Sequence, residues 1–248
     1  MHVADDAVAA GVAYHAPMSN LLSDRHVVVT GASGGLGGAV VEHLIAAGAH
    51  VHAPLVEAAV PAHATWLAHD RVHVTPGVDA GSDAAVTAYF AAVPALWASV
   101  HLVGGYTGAP LCDTSVDDFD RMIALNARTC FLATREAARA LRGRGGRIVN
   151  VAARPALVPT AGLVAYAASK AAVVAITQGA AVELSGDGVY VNAIVPSIID
   201  TPANRKAMPD ADFARWPKPA ELAAAIGYLV SPANALTSGA LVPVYGRA

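Results

Sequence analysis

Short β-branched or apolar runs alternate along this chain with longer segments in which apolar residues recur every three or four positions. Val27, Val28 and Val29 form the first run and predict a buried strand. The segment Ala39 to Ala47 follows with helical spacing, placing Val40, Val41, Leu44 and Ile45 on one stripe, and Gly48 stands where a helix ends. Further strands are predicted at Ala49 to Ala53, Arg71 to Val74, Val100 to Val103 and Arg147 to Ala152. Helices are predicted from near Asp83, over Asp117 to Leu141 and over Ala165 to Leu184. Strands in regular alternation with helices predict one α/β domain over residues 21–248.

Composition narrows the function classes. The 248 residues are 55% hydrophobic and 14% charged, which suits strands covered by helices on both faces. A net charge of -3 speaks against a nucleic-acid partner. Cys112 and Cys130 are the only cysteines, so neither a disulfide framework nor a cysteine metal site is suggested, and a cytoplasmic setting is expected. Ten histidines are scattered; His50 and His52 share a strand face, but no third ligand has recognisable spacing, and no metal is expected. Residues 1–20 read as a loose N-terminal extension, with Asp5 and Asp6 where a signal peptide would be basic or apolar and Met18 as a second candidate start. No apolar run reaches membrane-spanning length, so a soluble protein acting on a small molecule is expected.

The chemistry begins at Thr30-Gly31-Ala32-Ser33-Gly34-Gly35-Leu36-Gly37, between the first strand and the first helix. Glycines let the backbone turn sharply and lie against a ligand, while the new helix aims unpaired N–H groups and its positive dipole end at a phosphate. Strand, glycine turn and helix together read as a dinucleotide-binding loop. An acidic residue about 20 residues further on accepts from a ribose 2′-hydroxyl, whereas a basic one favours a 2′-phosphate. Pro54, Leu55 and Val56 occupy that strand end, and Glu57 reads as a solvated loop glutamate. The cofactor is therefore expected to be NADP or NAD, with NADPH slightly favoured because no carboxylate repels its phosphate. Asp79 stands where an acceptor meets the adenine amino group; Asp79 or Ser82 also suits the cap of the next helix. Gly104 and Gly105 offer bare backbone to a cofactor, and Asn126 interrupts a helical segment with a residue that favours caps and turns. Tyr166 and Lys170 lie four apart on one helix face, where an ammonium favours a phenolate and lowers the phenol pKa.

In order and spacing these residues resemble the short-chain dehydrogenases and reductases, from about Leu21 to Gly246. Residues 30–37 fit the TGxxxGxG loop, Asp79 the adenine-side aspartate, Asn126 the helix asparagine and Tyr166-Ala167-Ala168-Ser169-Lys170 the YxASK signature. Val195-Pro196-Ser197 and Thr201-Pro202 resemble the segment that closes on the nicotinamide. The resemblance implies a doubly wound, mostly parallel sheet of Rossmann type and hydride transfer, with Tyr166, Lys170 and Asn126 as the catalytic set. Gly31, Ser33, Gly34, Gly35, Leu36, Gly37, Asp79, Val103, Gly104, Lys170, Pro196, Ile199 and Thr201 are then implied to hold the cofactor. A homodimer or homotetramer is implied as well.

Three departures bear on the reaction. The NNAG turn appears as His101-Leu102-Val103-Gly104, the PG pair as Pro196-Ser197, and the active-site serine, thirteen residues before the tyrosine, as Ala153. With the Gly104-Gly105-Tyr106 turn and residues 201–216, these resemble the dihydropteridine reductase branch, which implies a quinonoid pterin-like acceptor. Arg154, Tyr106 and Trp216 are candidates to line the substrate cleft, and Thr160 reads as a turn threonine. The alternative function is a family member that has lost its chemistry and serves as a binding or scaffold subunit; retention of Asn126, Tyr166 and Lys170 together favours the enzyme.

Overall fold

A computed structural model describes residues 20–247, and the N-terminal extension up to residue 19 lies outside the described residues. Seven strands form one parallel sheet: β1 (His26–Thr30), β2 (His50–Pro54), β3 (Val72–Thr75), β4 (Leu96–His101), β5 (Gly146–Val151), β6 (Val189–Pro196) and β7 (Leu241–Val244). Their order across the sheet is β3-β2-β1-β4-β5-β6-β7. The order reverses between β1 and β4, so the loops leaving those two strands diverge and open a crevice at their carboxyl ends.

Strand alternation sends Val27 and Val29 to one face, against Val40, Val41 and Leu44 of α1 (Gly37–Ala46) and Leu222 and Ile226 of α7 (Pro219–Val230). Val28 points to the other face, into a cluster with Phe90 of α2 (Asp83–Ala92) and Leu132 and Leu141 of α4 (Thr129–Leu141). Each such side chain, fully withdrawn from water, contributes roughly 1.5 to 3 kcal/mol, so both faces of the sheet anchor the loops above them. Gly48 ends α1 at φ 92, its N–H bonded to the Ile45 carbonyl at 2.8 Å. Among the described residues no helix is long and apolar enough to cross a membrane.

Two expectations change. The predicted helix Asp117 to Leu141 is not continuous: α3 (Val116–Met122) passes through a π-helical turn, Ile123–Arg128, before α4 begins. Asn126 sits inside that turn, and π insertions of this kind are frequent at functional sites. The predicted strand Val100 to Val103 ends at His101, beyond which Leu102 and Val103 leave the sheet and line the crevice.

The histidines are also less scattered than the sequence suggests, because strand register brings four of them together. His26 lies opposite His50, and His52 opposite His73, at the amino-terminal half of the sheet edge. The rings stack at 4.8 to 5.5 Å, with His26 Nδ1 2.8 Å from His52 Nε2 and His50 Nδ1 3.3 Å from His73 Nε2. Asp24 and Arg71 flank the array, at 3.8 and 3.4 Å from His50 Nε2. Among the described residues no group of three or more His, Cys, Asp or Glu side chains is arranged to hold a metal ion. Burial and repulsion from neighbouring imidazoles lower His26 and push His52 from 6.5 to about 4. The unfolded chain therefore binds more protons between those values, so stability falls as pH drops from 6.5 through about 4. Half-buried His43 and buried His101 add to the same window. Melting curves at about pH 7.5 and about pH 5 should show a Tm loss in acid that shrinks, without vanishing, in His52→Asn; an unchanged loss would show that the array does not repel.

Candidate active site

The crevice at the switch point encloses about 490 Å³, between the glycine-rich loop, the end of β2, the loop after β3 and the end of β4. Gly31 holds φ 71, and a Cβ there would meet Val103 N at 2.9 Å, so the loop after β1 lies directly on the loop after β4. A Cβ on Gly37 would come within 2.3 Å of the Ala32 carbonyl oxygen, so this turn has no room for a side chain. Leu36 is buried in the core, and no side chain caps the N-terminus of α1. The Gly37 N–H is taken by the Gly34 carbonyl at 3.0 Å, and the N–H groups of Gly38 and Ala39 are left for an anionic ligand. A bare backbone cradle ending on an uncapped helix fits a dinucleotide pyrophosphate.

The segment between β2 and β3 clasps the loop from outside. Ser33 Oγ donates to Glu57 Oε1 at 3.0 Å, His63 Nε2 lies 3.0 Å from the Ser33 carbonyl oxygen, and the Trp66 indole donates to the Ala32 carbonyl at 2.9 Å. Glu57 is therefore not the solvated glutamate expected: it turns back to the crevice, and its Oε2 is buried without a partner. Nothing in the spacing marked His63 or Trp66, whose contacts depend on how the β2–β3 connection folds back.

Of the sequence candidates, Gly31, Ser33, Gly34, Asp79, Val103 and Gly104 line the crevice. Asp79 accepts from Gly81 N at 2.8 Å, and Ser82 is the residue that caps α2, accepting from Ala85 N at 3.3 Å. Thr201 reaches the loop from the far side; a Cβ on Gly35 would touch its methyl at 3.2 Å, while its hydroxyl caps α6 (Pro202–Ala207). Pro196 ends β6, and Ile199 packs against the larger core cluster.

Gly104 joins the crevice to the catalytic candidates. A Cβ there would lie 2.7 Å from Asn126 Oδ1 and 3.2 Å from Lys170 Nζ. Asn126 holds the next peptide on both sides: its Oδ1 accepts from Gly105 N and its Nδ2 donates to Gly105 O, each at 3.0 Å. The same Nδ2 donates to Ser169 Oγ at 3.0 Å, and that hydroxyl donates to the Tyr166 carbonyl at 2.7 Å. Ser169 is thus a structural member of the site that the motif contained but did not single out. Below them His101, Ser99, Asn150, Thr134 and Thr177 form a buried hydrogen-bonded network, in which burial pushes His101 down to about 4 and keeps it neutral.

Tyr166 and Lys170 stand on α5 (Val164–Glu183), but no direct hydrogen bond joins them. Lys170 is buried and donates to the Val151 carbonyl at 2.8 Å; burial pushes its ammonium down to about 8. Tyr166 departs from the expected direction: burial, then the neighbouring Tyr106 phenol, push it up to about 12. Desolvation outweighs the ammonium because Lys170 is turned to Val151. Ala153 is buried and brings no hydroxyl, and Thr160 is exposed with its hydroxyl donated to Val158 O at 3.3 Å, as read from the turn. Tyr106 rests edge-on to Tyr166, ring centroids 5.1 Å apart at 73°. Trp216, a cleft candidate, is instead buried against Phe213, and the Arg154 guanidinium lies over the Tyr245 ring at 5.1 Å.

Comparison with known proteins places the chain in a family. The family model described as short chain dehydrogenase matches residues 25–212. The chain is 33% identical to (3R)-3-hydroxyacyl-CoA dehydrogenase of Canis lupus familiaris, over 88% of this chain and 94% of that protein. It is likewise 33% identical to D-threitol dehydrogenase of Mycolicibacterium smegmatis, over 91% and 93%. A solved short chain dehydrogenase/reductase family protein superimposes with a TM-score of 0.84 at 28% identity, covering 91% of this chain and 97% of its own. The chain belongs to the short-chain dehydrogenase/reductase family and is an oxidoreductase.

The loop geometry gives a direct check. Gly31→Ala forces a Cβ into a positive-φ position and onto the Val103 backbone, so it should cost more than about 1 kcal/mol of stability and weaken dinucleotide binding. A variant with unchanged melting and binding would show that the two loops are not in this contact.

Proposed function

We propose that this protein is an NADH-dependent reductase in which Tyr166 is the proton donor. The observation that carries the reading is the convergence of Asn126, Ser169 and Lys170 on the Gly104-Gly105 turn, one wall of the dinucleotide crevice. A bound nicotinamide dinucleotide supplies the hydride. Tyr166, protonated up to about pH 12, is an acid rather than a base at neutral pH and gives its proton to the acceptor's heteroatom as that atom becomes negative. Lys170, pushed down to about 8 by burial, is the more acidic of the two and is held by the Val151 carbonyl beside Gly104. Asn126 fixes the turn against which Lys170 packs.

Glu57 supports NAD over NADP, against the slight preference for NADPH drawn from the sequence. Its carboxylate lines the crevice beside Ser33, with one oxygen still without a donor, which suits a ribose 2′-hydroxyl and repels a 2′-phosphate. Ala153 supports an acceptor that needs little help at its reacting atom. One lost preorganised donor typically costs about 10²- to 10³-fold in rate, and a quinonoid, pterin-like acceptor already carries the electron deficiency that hydride relieves. Retention of all three catalytic candidates in one cluster speaks against the scaffold alternative.

Tyr166→Phe should lower NADH-linked turnover by about 10²- to 10⁴-fold while NADH affinity stays near wild type; full activity in that variant would remove the tyrosine assignment. Turnover should also decline above about pH 8 as Lys170 loses its proton. Glu57→Gln should narrow the ratio of NADPH to NADH dissociation constants, and a ratio that does not move would show that Glu57 does not read the ribose.

A further inference from the structure

We infer that the exposed ring of Tyr106 is the face on which the acceptor stacks, and that it selects planar, conjugated acceptors. The inference rests on the reductase reading above and specifies the substrate class of that same site. Tyr106 leaves 64% of its surface in water and adjoins Tyr166, the proton donor. Its position is enforced from behind. Asn126 grips both hydrogen-bonding groups of the Gly105 peptide, so the backbone entering Tyr106 is fixed by a side chain that is itself buried. A Cβ on Gly105 would meet Leu125 Cδ2 at 2.3 Å, so the turn lies close on that side chain.

The orientation of the ring indicates which part of it works. The place where a Cβ on Gly108 would sit is 2.8 Å from Tyr106 Oη, so the hydroxyl end lies against the backbone at Gly108. What remains exposed is therefore ring surface. Tyr166 adjoins it in a T-shaped contact, ring centroids 5.1 Å apart at 73°, so the exposed Tyr106 ring and the proton donor are neighbours. A flat conjugated ring lies against an aromatic face along its whole area, whereas a flexible aliphatic ketone covers little of it. With Ala153 providing no hydroxyl to steer an oxygen, stacking on Tyr106 is left as the orienting contact.

The test is steady-state kinetics at saturating NADH with a quinonoid dihydropterin and an aliphatic ketone, on wild type, Tyr106→Phe, Tyr106→Leu and Tyr166→Phe. Tyr106→Leu should raise KM for the planar acceptor about tenfold with kcat little changed. Tyr106→Phe should behave as wild type, and NADH affinity by nicotinamide fluorescence should be the same throughout. Because the side chain is exposed, melting temperatures should also match. The inference is overturned if Tyr106→Leu leaves the planar KM unmoved, if ketone and planar acceptor respond alike, or if Tyr106→Phe alone abolishes turnover, which would make the hydroxyl the working group. Should Tyr166→Phe keep full activity, or wild type reduce neither acceptor, the reductase reading fails and this one with it; an inactive Tyr166→Phe beside an unaffected Tyr106→Leu sinks the Tyr106 inference alone.

Discussion

The grip of Asn126 on the Gly105 peptide is the contact on which the rest of the site depends. A buried amide left without partners would cost about 1 to 3 kcal/mol, and here both its groups are used, on the backbone of Gly105 and on Ser169. That single side chain ties the loop after β4 to the start of α5 and, through Gly104, sets the floor on which Lys170 lies. The π-helical turn explains how Asn126 gets there: the extra residue in the turn breaks the straight run from α3 to α4 and accommodates a side chain that pairs outside the helix.

A second constraint acts at the glycine-rich loop. Gly31 and Gly37 make the turn possible, while Ser33, Glu57, His63 and Trp66 hold it shut from the β2–β3 side. The loop is thereby preorganised for its ligand, and the ordering that a flexible loop would undergo on binding is already present in the fold. The same clasp brings the Glu57 carboxylate to the crevice, so in the proposed reading loop rigidity and cofactor preference share one segment.

Most of the architecture was legible in the chain because it is written in local periodicity. Val27 to Val29, the stripe through Val40 and Leu44, and Gly48 each carry their signal within a few residues, and apart from the start of β4, four residues earlier than predicted, the predicted strand ends shift by only one or two positions in the structure. The placement of residues 30–37 between β1 and α1, and of Tyr166 and Lys170 on one helix, was legible for the same reason. What escaped was long-range. The turn of Glu57 toward Ser33 and the four-histidine array depend on register and loop path, which no spacing encodes. The phenol pKa escaped because the i, i+4 spacing of Tyr166 and Lys170 says nothing of how deeply each is buried or that Lys170 is turned to Val151.

The central claim is that the glycine cradle, the uncapped end of α1 and the clasp hold a reduced nicotinamide dinucleotide, and titration of the purified protein with NADH tests it most directly. The account predicts saturable enhancement of nicotinamide fluorescence, with one site per chain, that is abolished in Gly37→Val, where the new side chain meets the Ala32 carbonyl. No saturable binding of NADH or NADPH up to about millimolar concentration, the upper range of ordinary cofactor affinities, would contradict it.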